Sequence, residues 1–305
     1  MQDELRPLEA ALIARNPSFS SVNLWLGADP VVAPCHYDGY HNAVAQLSGR
    51  KRFMLAPPSA GPLLRTFPFL HPSHAQCQTA LEDVDQSSLR SAGGLSVVLE
   101  RGNVLYLPPL WFHETRALDS GGAVGVNGWV QCEEGSAADR VFEVRRPVAP
   151  SGWATRQPAS SSGKDVDDAA AALALVAQLS ARVFNNATHL LERVWRDRYA
   201  TLVGRNALPL VALSGAGTST AGGNRVRALE CSLLPVWRTR WDQRDDARRW
   251  ASAVALQARD HLRSEATRTL WLANLAELVV AEQVGVRRVA TVWRAASECL
   301  SMLPH

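Results

Sequence analysis

The feature that most constrains the fold is a series of short apolar runs in the first 130 residues, each bounded by turn-forming residues. The runs are rich in valine, leucine and aromatic residues, and glycine, proline or aspartate separates them, which is typical of β-strands. Eight such runs without intervening helical periods favour an all-β sandwich or barrel of the jelly-roll type. The predicted strands are Val22–Gly27, Val31–Tyr37, Asn42–Gly49, Arg52–Ala56, Leu95–Leu99, Asn103–Leu107, Phe112–Leu118 and Ala123–Val130.

Between the fourth and fifth predicted strands, residues 57–94 lose this alternation and are rich in proline, histidine and serine. Because the alternation is lost, we predict a long insertion here. Insertions of this length inside compact domains are often functional. Recognition in enzymes commonly comes from loops and added segments, so we expect this insertion and the second half of the chain to select the substrate.

The second half of the chain has a different pattern. Residues 149–168 have the composition of a linker, and from residue 169 apolar side chains recur at three- and four-residue steps, which predicts helices. We therefore predict a mainly β domain over 1–148, a linker over 149–168 and a mainly α-helical region over 169–305. Amphipathic helices need a surface to cover, so we expect this region to form a homodimer or to dock the substrate.

Composition narrows the classes of function. No apolar run approaches the roughly 18 to 20 residues that a membrane span needs, so no membrane partner is expected. The N-terminus lacks the apolar core of a secretory signal, and the five cysteines include no CxxC pair, so we expect free thiols and a cytoplasmic or nuclear location. The net charge is +3, and residues 151–305 carry 20 Lys/Arg against 14 Asp/Glu, which leaves a nucleic-acid partner open.

A candidate metal site lies at the end of the second predicted strand. On a strand, residues i and i+2 point to the same face, so His36 and Asp38 present an imidazole and a carboxylate side by side. A further histidine, His113, lies near the start of the seventh predicted strand and is expected to face inward. Two imidazoles and one carboxylate form the facial triad that binds Fe(II) and leaves coordination positions open, whereas a buried or capping histidine is the alternative.

One of only two lysines in the chain is predicted to point into the same interior. Alternation along the fourth strand places Lys51 with Phe53 and Leu55 on the apolar face. A lysine inside a barrel is costly unless an anion meets it, so we interpret Lys51 as the counter-ion of a dicarboxylate cosubstrate lying on the metal. A strand end at which this side chain reaches solvent is the alternative.

Five ordered motifs cross the first half of the chain. They are Asn-Leu-Trp-Leu-Gly at 23–27, Pro-Cys-His-Tyr-Asp at 34–38 with Asn42, Gln-Leu-Ser-Gly-Arg-Lys-Arg-Phe at 46–53 followed by Pro57 and Pro58, Gly-Asn-Val-Leu-Tyr-Leu-Pro-Pro-Leu-Trp-Phe-His at 102–113, and Gly-Val-Asn-Gly-Trp at 125–129. Together they resemble the JmjC/cupin-8 group of Fe(II)- and 2-oxoglutarate-dependent oxygenases, and its small hydroxylases above all. The resemblance extends from about residue 23 to residue 130.

The resemblance implies a double-stranded β-helix of the cupin type, in agreement with the jelly-roll prediction. His36, Asp38 and His113 match the iron ligands of the family, so these are the expected metal-binding and catalytic residues. Lys51 matches the lysine that binds the distal carboxylate of 2-oxoglutarate.

Other matched positions concern the cosubstrate pocket. Asn42 and Asn127 match amide positions that line it. The family often has a threonine or serine three residues before the first ligand, where this chain has Ala33, and an N-terminal segment with an aromatic hydroxyl that reaches 2-oxoglutarate. Only about 20 residues precede the first predicted strand here, so either another group such as Tyr106 compensates or the chain is a truncated or divergent form.

The chemistry that the resemblance implies uses Fe(II) as the cofactor and 2-oxoglutarate as the cosubstrate, which is decarboxylated to succinate while a substrate C–H bond is hydroxylated. We therefore expect a 2-oxoglutarate-dependent dioxygenase that hydroxylates a macromolecule, with a protein side chain favoured over tRNA. A tRNA-modifying hydroxylase, a histone lysine demethylase and a catalytically impaired cupin-fold binding protein are the alternatives.

Overall fold

The computed structural model describes residues 19–134, 136, 162–204 and 245–301. The chain divides into two compact units, each with its own hydrophobic core. The first unit comprises residues 1–66 and 75–139, and the second comprises residues 67–74 and 140–305. A short segment of the predicted insertion therefore belongs with the helical part of the chain.

All eight predicted strands are present in the first unit. The largest difference in their boundaries is at the first strand, which starts three residues earlier than predicted. The strands are β1 (Phe19–Gly27), β2 (Val32–Tyr37), β3 (His41–Ser48), β4 (Lys51–Ala56), β5 (Leu95–Leu99), β6 (Val104–Leu107), β7 (Phe112–Ala117) and β8 (Ala123–Val130).

The strands form two four-stranded sheets in which every described pair is antiparallel. The first sheet has the order β1-β8-β3-β6 and the second has the order β2-β7-β4-β5. Successive strands therefore cross from one sheet to the other, except that β4 and β5 are neighbours joined through the insertion. The predicted mainly β domain followed by a helical region is confirmed, and the strand order agrees with the predicted jelly roll.

Alternate residues of the strands fill the interior between the sheets. Phe53 and Leu55 of β4 are almost completely buried in a cluster that includes Val44 and Leu99 from neighbouring strands. This places one face of β4 inside the sandwich, as the apolar alternation predicts. At the turn between β3 and β4, Gly49 has φ 65°, and a Cβ atom there would collide with the backbone of the β7–β8 turn, so only glycine fits.

Residues 57–66 and 75–94 of the insertion belong to the first unit, and Leu81 and Glu82 contact the outer face of the second sheet. The insertion contains a 3-10 turn (Pro58–Ala60), α1 (Gly61–Leu64) and α2 (Gln86–Ser91). The buried carboxylate of Glu114 on β7 accepts a hydrogen bond from the backbone N–H of Leu81 at 3.1 Å, and Arg116 pairs with Glu82 at 2.9 Å. These contacts explain how polar residues on the outer face of β7 are accommodated.

The expectation of free thiols is wrong for two of the cysteines. Cys35 on β2 and Cys77 in the insertion are joined by a disulfide, with their Cα atoms 5.3 Å apart. Cys132 is buried, lies outside any disulfide and donates a hydrogen bond to the carbonyl oxygen of Gly39 at 3.2 Å, while Cys231 and the side chain of Cys299 lie outside the described residues. A disulfide does not fit the argument for a reducing compartment, so cysteine usage no longer supports a cytoplasmic or nuclear location.

The second unit is helical. It contains α3 (Ser162–Phe184), α4 (His189–Val194), a π-helical turn (Trp195–Tyr199), α5 (Ala200–Gly204), α6 (Asp245–His261), α7 (Glu265–Val284), a 3-10 turn (Val286–Arg288) and α8 (Val289–Ser301). Helix α3 begins inside the segment 149–168 that was predicted to be a linker.

Apolar side chains from these helices form the core of the second unit. Leu173 and Leu179 of α3 and Leu275 of α7 are fully buried, as their periodicity predicts. Trp250 and Trp293 are buried in the same core and are therefore packing residues. Among the described helices, none combines the length and the apolar character needed to cross a bilayer.

Candidate metal centre

The two predicted histidine ligands lie side by side on adjacent strands. β2 pairs with β7 in a register that sets His36 opposite His113, and the centroids of the two imidazole rings are 4.1 Å apart. Asp38 follows the end of β2, and its Oδ2 atom lies 3.6 Å from Nε2 of His113. Candidate ligand atoms of the three residues all lie within 4.8 Å of one another. The structure therefore brings the three predicted ligands together.

Backbone carbonyl groups orient both imidazole rings. Nδ1 of His36 lies 2.7 Å from the carbonyl oxygen of Pro34, and Nδ1 of His113 lies 3.1 Å from that of Trp111. A carbonyl oxygen only accepts, so each Nδ1 carries the proton and donates it. Each Nε2 is then left with a lone pair for a metal, which is the usual tautomer arrangement of metal-binding histidines.

Burial keeps the more interior histidine neutral. His113 is 5% exposed, and burial lowers its pKa to about 4, with the neighbouring His36 acting in the same direction and Asp38 opposing it. A neutral imidazole is the form that binds a metal. Two imidazole nitrogens and one carboxylate oxygen fit an Fe(II) site of the facial-triad type, and this donor set leaves positions open for other ligands.

A row of amide side chains runs from the edge of the first sheet to the candidate ligand Asp38. Asn42 and Asn127 are almost completely buried, and Asn127 donates a hydrogen bond of 2.9 Å to Asn42. Asn42 in turn makes a long contact of 3.5 Å with Oδ2 of Asp38. The two asparagines therefore lie where they can orient the carboxylate, while their predicted contact with the cosubstrate remains a prediction.

Two residues of β1 contact this row of amides, although the sequence motif that contains them predicted no role for either. Asn23 and Trp25 of β1 both donate to the side-chain oxygen of Asn127, at 3.3 and 2.9 Å. Their i, i+2 spacing places them on one face of β1, and that spacing is the signal from which the contact could have been suspected. They fix the amide of Asn127 so that its NH2 group points toward Asn42.

Lys51 begins β4 and faces the interior. Its partners across the second sheet are Ala117 and Leu99, and Leu99 belongs to the interior core, so the lysine shares that face. The side chain is half-buried, and burial lowers the pKa of its amine. Among the described residues it makes no ion pair. The predicted inward orientation is thus supported by the register of the sheet.

Tyr106 is not brought to this cluster. Its neighbours Leu105 and Leu107 on β6 pack into the interior, so alternation turns the tyrosine to the outer face of the first sheet. There it is 54% exposed, and its hydroxyl lies 2.6 Å from Nδ1 of His41. The expectation that Tyr106 binds the cosubstrate is therefore corrected.

Comparison with known proteins agrees with the geometry. The sequence profile of the Cupin-like domain family matches residues 1–134. Lysine-specific demethylase JMJ31 of Arabidopsis thaliana is 31% identical over 119 residues, which cover 37% of this chain and 21% of JMJ31. The human bifunctional peptidase and (3S)-lysyl hydroxylase JMJD7 is 30% identical over 136 residues, which cover 37% of this chain and 42% of JMJD7.

A solved structure of YcfD, a ribosomal oxygenase from Escherichia coli in complex with cobalt and 2-oxoglutarate, matches with 19% identity and a TM-score of 0.27. That match covers 50% of this chain and 38% of the YcfD chain, and at this TM-score it supports no argument. The chain spans less than half the length of the curated relatives named above. Residues 1–134 thus match the Cupin-like domain family, and the curated proteins similar to this region include a JMJ-type lysine-specific demethylase and a JMJD-type lysyl hydroxylase.

Proposed function

We propose that this protein is an Fe(II)- and 2-oxoglutarate-dependent oxygenase that hydroxylates a protein side chain, and that its sandwich is a double-stranded β-helix. The convergence of His36, Asp38 and His113 inside the sandwich is the observation that carries the proposal. When bound, Fe(II) would supply the oxidising chemistry together with 2-oxoglutarate and dioxygen: one oxygen atom would enter succinate as CO2 is lost, and the other would enter the substrate C–H bond.

The ligand residues are prepared for a divalent metal before it binds. Both rings are held in one tautomer by the carbonyl groups of Pro34 and Trp111, so little reorganisation is needed. The carboxylate of Asp38 would offset part of the metal charge, and Asn42 makes a long contact of 3.5 Å with the carboxylate oxygen that faces His113. The protein thereby contributes a three-ligand face and leaves the opposite face for small molecules.

Lys51 provides the charge that a second carboxylate needs. Its half-buried amine lacks an ion-pair partner within the described part of the chain, and its lowered pKa reflects the cost of keeping a cation there. A dicarboxylate that binds the metal through one end places its other end against such an amine. This charge complementarity supports 2-oxoglutarate as the cosubstrate.

The relatives favour a protein substrate. JMJ31 is named as a lysine-specific demethylase and JMJD7 as a (3S)-lysyl hydroxylase, so both names specify lysine as the residue acted on. No described feature of this chain favours tRNA, so we propose a protein side chain as the target and lysine-containing peptides as the first substrates to test.

The test is an assay of the full chain with Fe(II), 2-oxoglutarate, oxygen and a panel of lysine-containing peptides. We expect succinate to form together with a peptide product that has gained one oxygen atom, as measured by mass spectrometry. Asp38→Ala removes one ligand and should reduce succinate formation to background. The matched control is Asp119→Asn, which removes a surface carboxylate that pairs with Arg50 at 2.8 Å and should leave the activity unchanged.

Three outcomes would contradict the proposal. Wild-type protein that binds neither metal nor 2-oxoglutarate would exclude an oxygenase. Binding of both without succinate formation would indicate a cupin-fold binding protein instead. Succinate formation stimulated by tRNA and by none of the peptides would exclude the protein substrate.

A further inference from the structure

A buried hydroxyl group lies next to the candidate ligands. Thr115 follows His113 by two residues on β7, so both side chains are on the interior face of the second sheet. Thr115 is 8% exposed as a residue, and among the described residues its hydroxyl makes no hydrogen bond, but the hydroxyl oxygen is not one of the fully buried side-chain atoms left without a partner. The oxygen therefore retains some accessible surface, through which the hydroxyl can donate a hydrogen bond to a polar ligand.

The register of β4 and β7 places this hydroxyl between the metal site and Lys51. Successive interior pairs across these strands are Leu55 with His113, then Phe53 with Thr115, and then Lys51 with Ala117. Pairs two residues apart are separated by about 6.6 Å along a strand. A dicarboxylate that reaches from the metal toward the Lys51 amine therefore has to cross the level of Thr115.

The opposite neighbour of Thr115 has no polar atom. On β2, Ala33 is the registered partner of Thr115, and cross-strand partners share a face. In the resembling oxygenases a hydroxyl residue often occupies the position of Ala33. In this chain a hydroxyl is present at the same level of the sandwich, but on the neighbouring strand.

We infer that Thr115 is a cosubstrate-binding residue whose hydroxyl donates a hydrogen bond to a carboxylate of 2-oxoglutarate and replaces the contact that Ala33 cannot make. This inference rests on the proposed function and deepens it. It explains why a polar β-branched residue lies on the interior face of β7 at this point. The hydroxyl of Thr115 would then stand in for the hydroxyl that is absent at Ala33.

The test measures binding without turnover. The full chain is loaded with Mn(II) in the absence of oxygen, and 2-oxoglutarate is titrated in by calorimetry. Thr115→Val keeps the shape of the side chain and removes the hydroxyl, and we expect about 10- to 100-fold weaker binding from the loss of one hydrogen bond to a charged group. Thr115→Ser should bind within a few-fold of wild type, and adding Ala33→Ser to Thr115→Val should restore part of the affinity.

Two controls separate binding from folding. Mn(II) affinity should be the same in wild type and in the Thr115 variants, and Thr115→Val should unfold at a temperature no lower than that of wild type because it removes a hydroxyl without a protein partner. Thr66→Val removes another buried hydroxyl residue of the first unit, outside the sheets, and should leave 2-oxoglutarate affinity unchanged.

The outcomes distinguish this inference from the proposed function. Mn(II)-loaded wild type without affinity for 2-oxoglutarate would overturn both. Weak binding by Lys51→Met together with normal binding by Thr115→Val would leave the proposed function intact and overturn the role of Thr115. A Thr115→Val defect that also weakens Mn(II) binding, or that Thr115→Ser shares, would show a packing role and would overturn the inference as well.

Discussion

Lys51 is a residue at which binding and stability oppose each other. Its amine is half-buried on the interior face of β4, and burial lowers its pKa below the ordinary 10.5. The unfolded chain therefore holds this proton more tightly than the folded protein does. By linkage, the contribution of Lys51 to the free energy of unfolding rises as the pH increases toward 10.5, and at neutral pH its charge destabilises the fold.

We accordingly predict that Lys51→Met stabilises the metal-free protein at pH 7, and that the gain shrinks as the pH approaches 10. The gain should stay below about 1 kcal/mol because solvent still screens the half-buried amine. Urea unfolding at several pH values measures it, with Arg101→Met as the control for loss of an exposed cation at a turn. A Lys51→Met protein that is less stable at pH 7 would show that an anionic partner already neutralises the amine.

The sequence of a strand predicts which face a residue is on only where successive residues alternate between polar and apolar. His36, Asp38 and Lys51 could be assigned because their neighbours have contrasting polarity. Tyr106 could not, because residues 104–107 are Val, Leu, Tyr and Leu, and such a run is compatible with either face. The pairing of Cys35 with Cys77 could not be predicted from the sequence for another reason, because it depends on how the insertion folds back to β2.

At the scale of the strand, an irregularity in β2 decides which residues enter the site. The pairing of β2 with β7 shifts between Ala33 and His36, so these two residues, three apart in sequence, have interior partners on β7. Strict alternation would have turned one of them outward. Pro34 lies at this shift, and proline inside a strand occurs at sheet edges or bulges, so the sequence does contain a signal for the irregularity. That signal predicts the ligands on β2 no differently, and it does not by itself place Ala33 opposite Thr115.

At the scale of the helix, a buried polar network interrupts the apolar core of the second unit. Glu277 on α7 is fully buried and accepts hydrogen bonds from Arg198 at 2.6 Å, from the hydroxyl of Tyr199 at 2.8 Å and from the backbone N–H of Phe69 at 2.9 Å. Arg198 also donates to Asn274 at 2.7 Å. The leucine periodicity of α7 predicted a buried face, but nothing in it predicted that Glu277 would lie there.

We predict that Glu277→Leu destabilises the second unit by about 3 to 5 kcal/mol, because it leaves the guanidinium of Arg198 buried without its partner. The double variant Arg198→Met with Glu277→Leu should recover much of that loss, because it replaces a buried ion pair by apolar side chains. Denaturant unfolding of the single and double variants measures the coupling. Asp260→Leu, at an exposed position of α6, is the control and should change stability by less than about 0.5 kcal/mol. Additive effects of the two substitutions would contradict the coupling.

At the scale of the whole molecule, the second unit is discontinuous in sequence. Phe67 and Leu70 pack against the helical core, and the backbone of Phe69 is bonded to Glu277, although all three lie in the insertion between β4 and β5. A cut after residue 150 removes the helices but leaves this segment behind. The predicted boundary at 148–168 therefore separates the segment from its own core.

We predict that a chain of residues 1–150 exposes this segment and binds a hydrophobic dye that the full chain does not bind, because the aromatic and leucine side chains lose the surface that covers them. Substituting Phe67, Phe69 and Leu70 by serine in the shortened chain is the matched control and should abolish most dye binding, since these side chains carry the exposed apolar area. Fluorescence titration together with thermal unfolding measures both effects. A shortened chain that binds no dye would show that the first unit covers residues 67–74 by itself, and it would argue against their assignment to the helical unit.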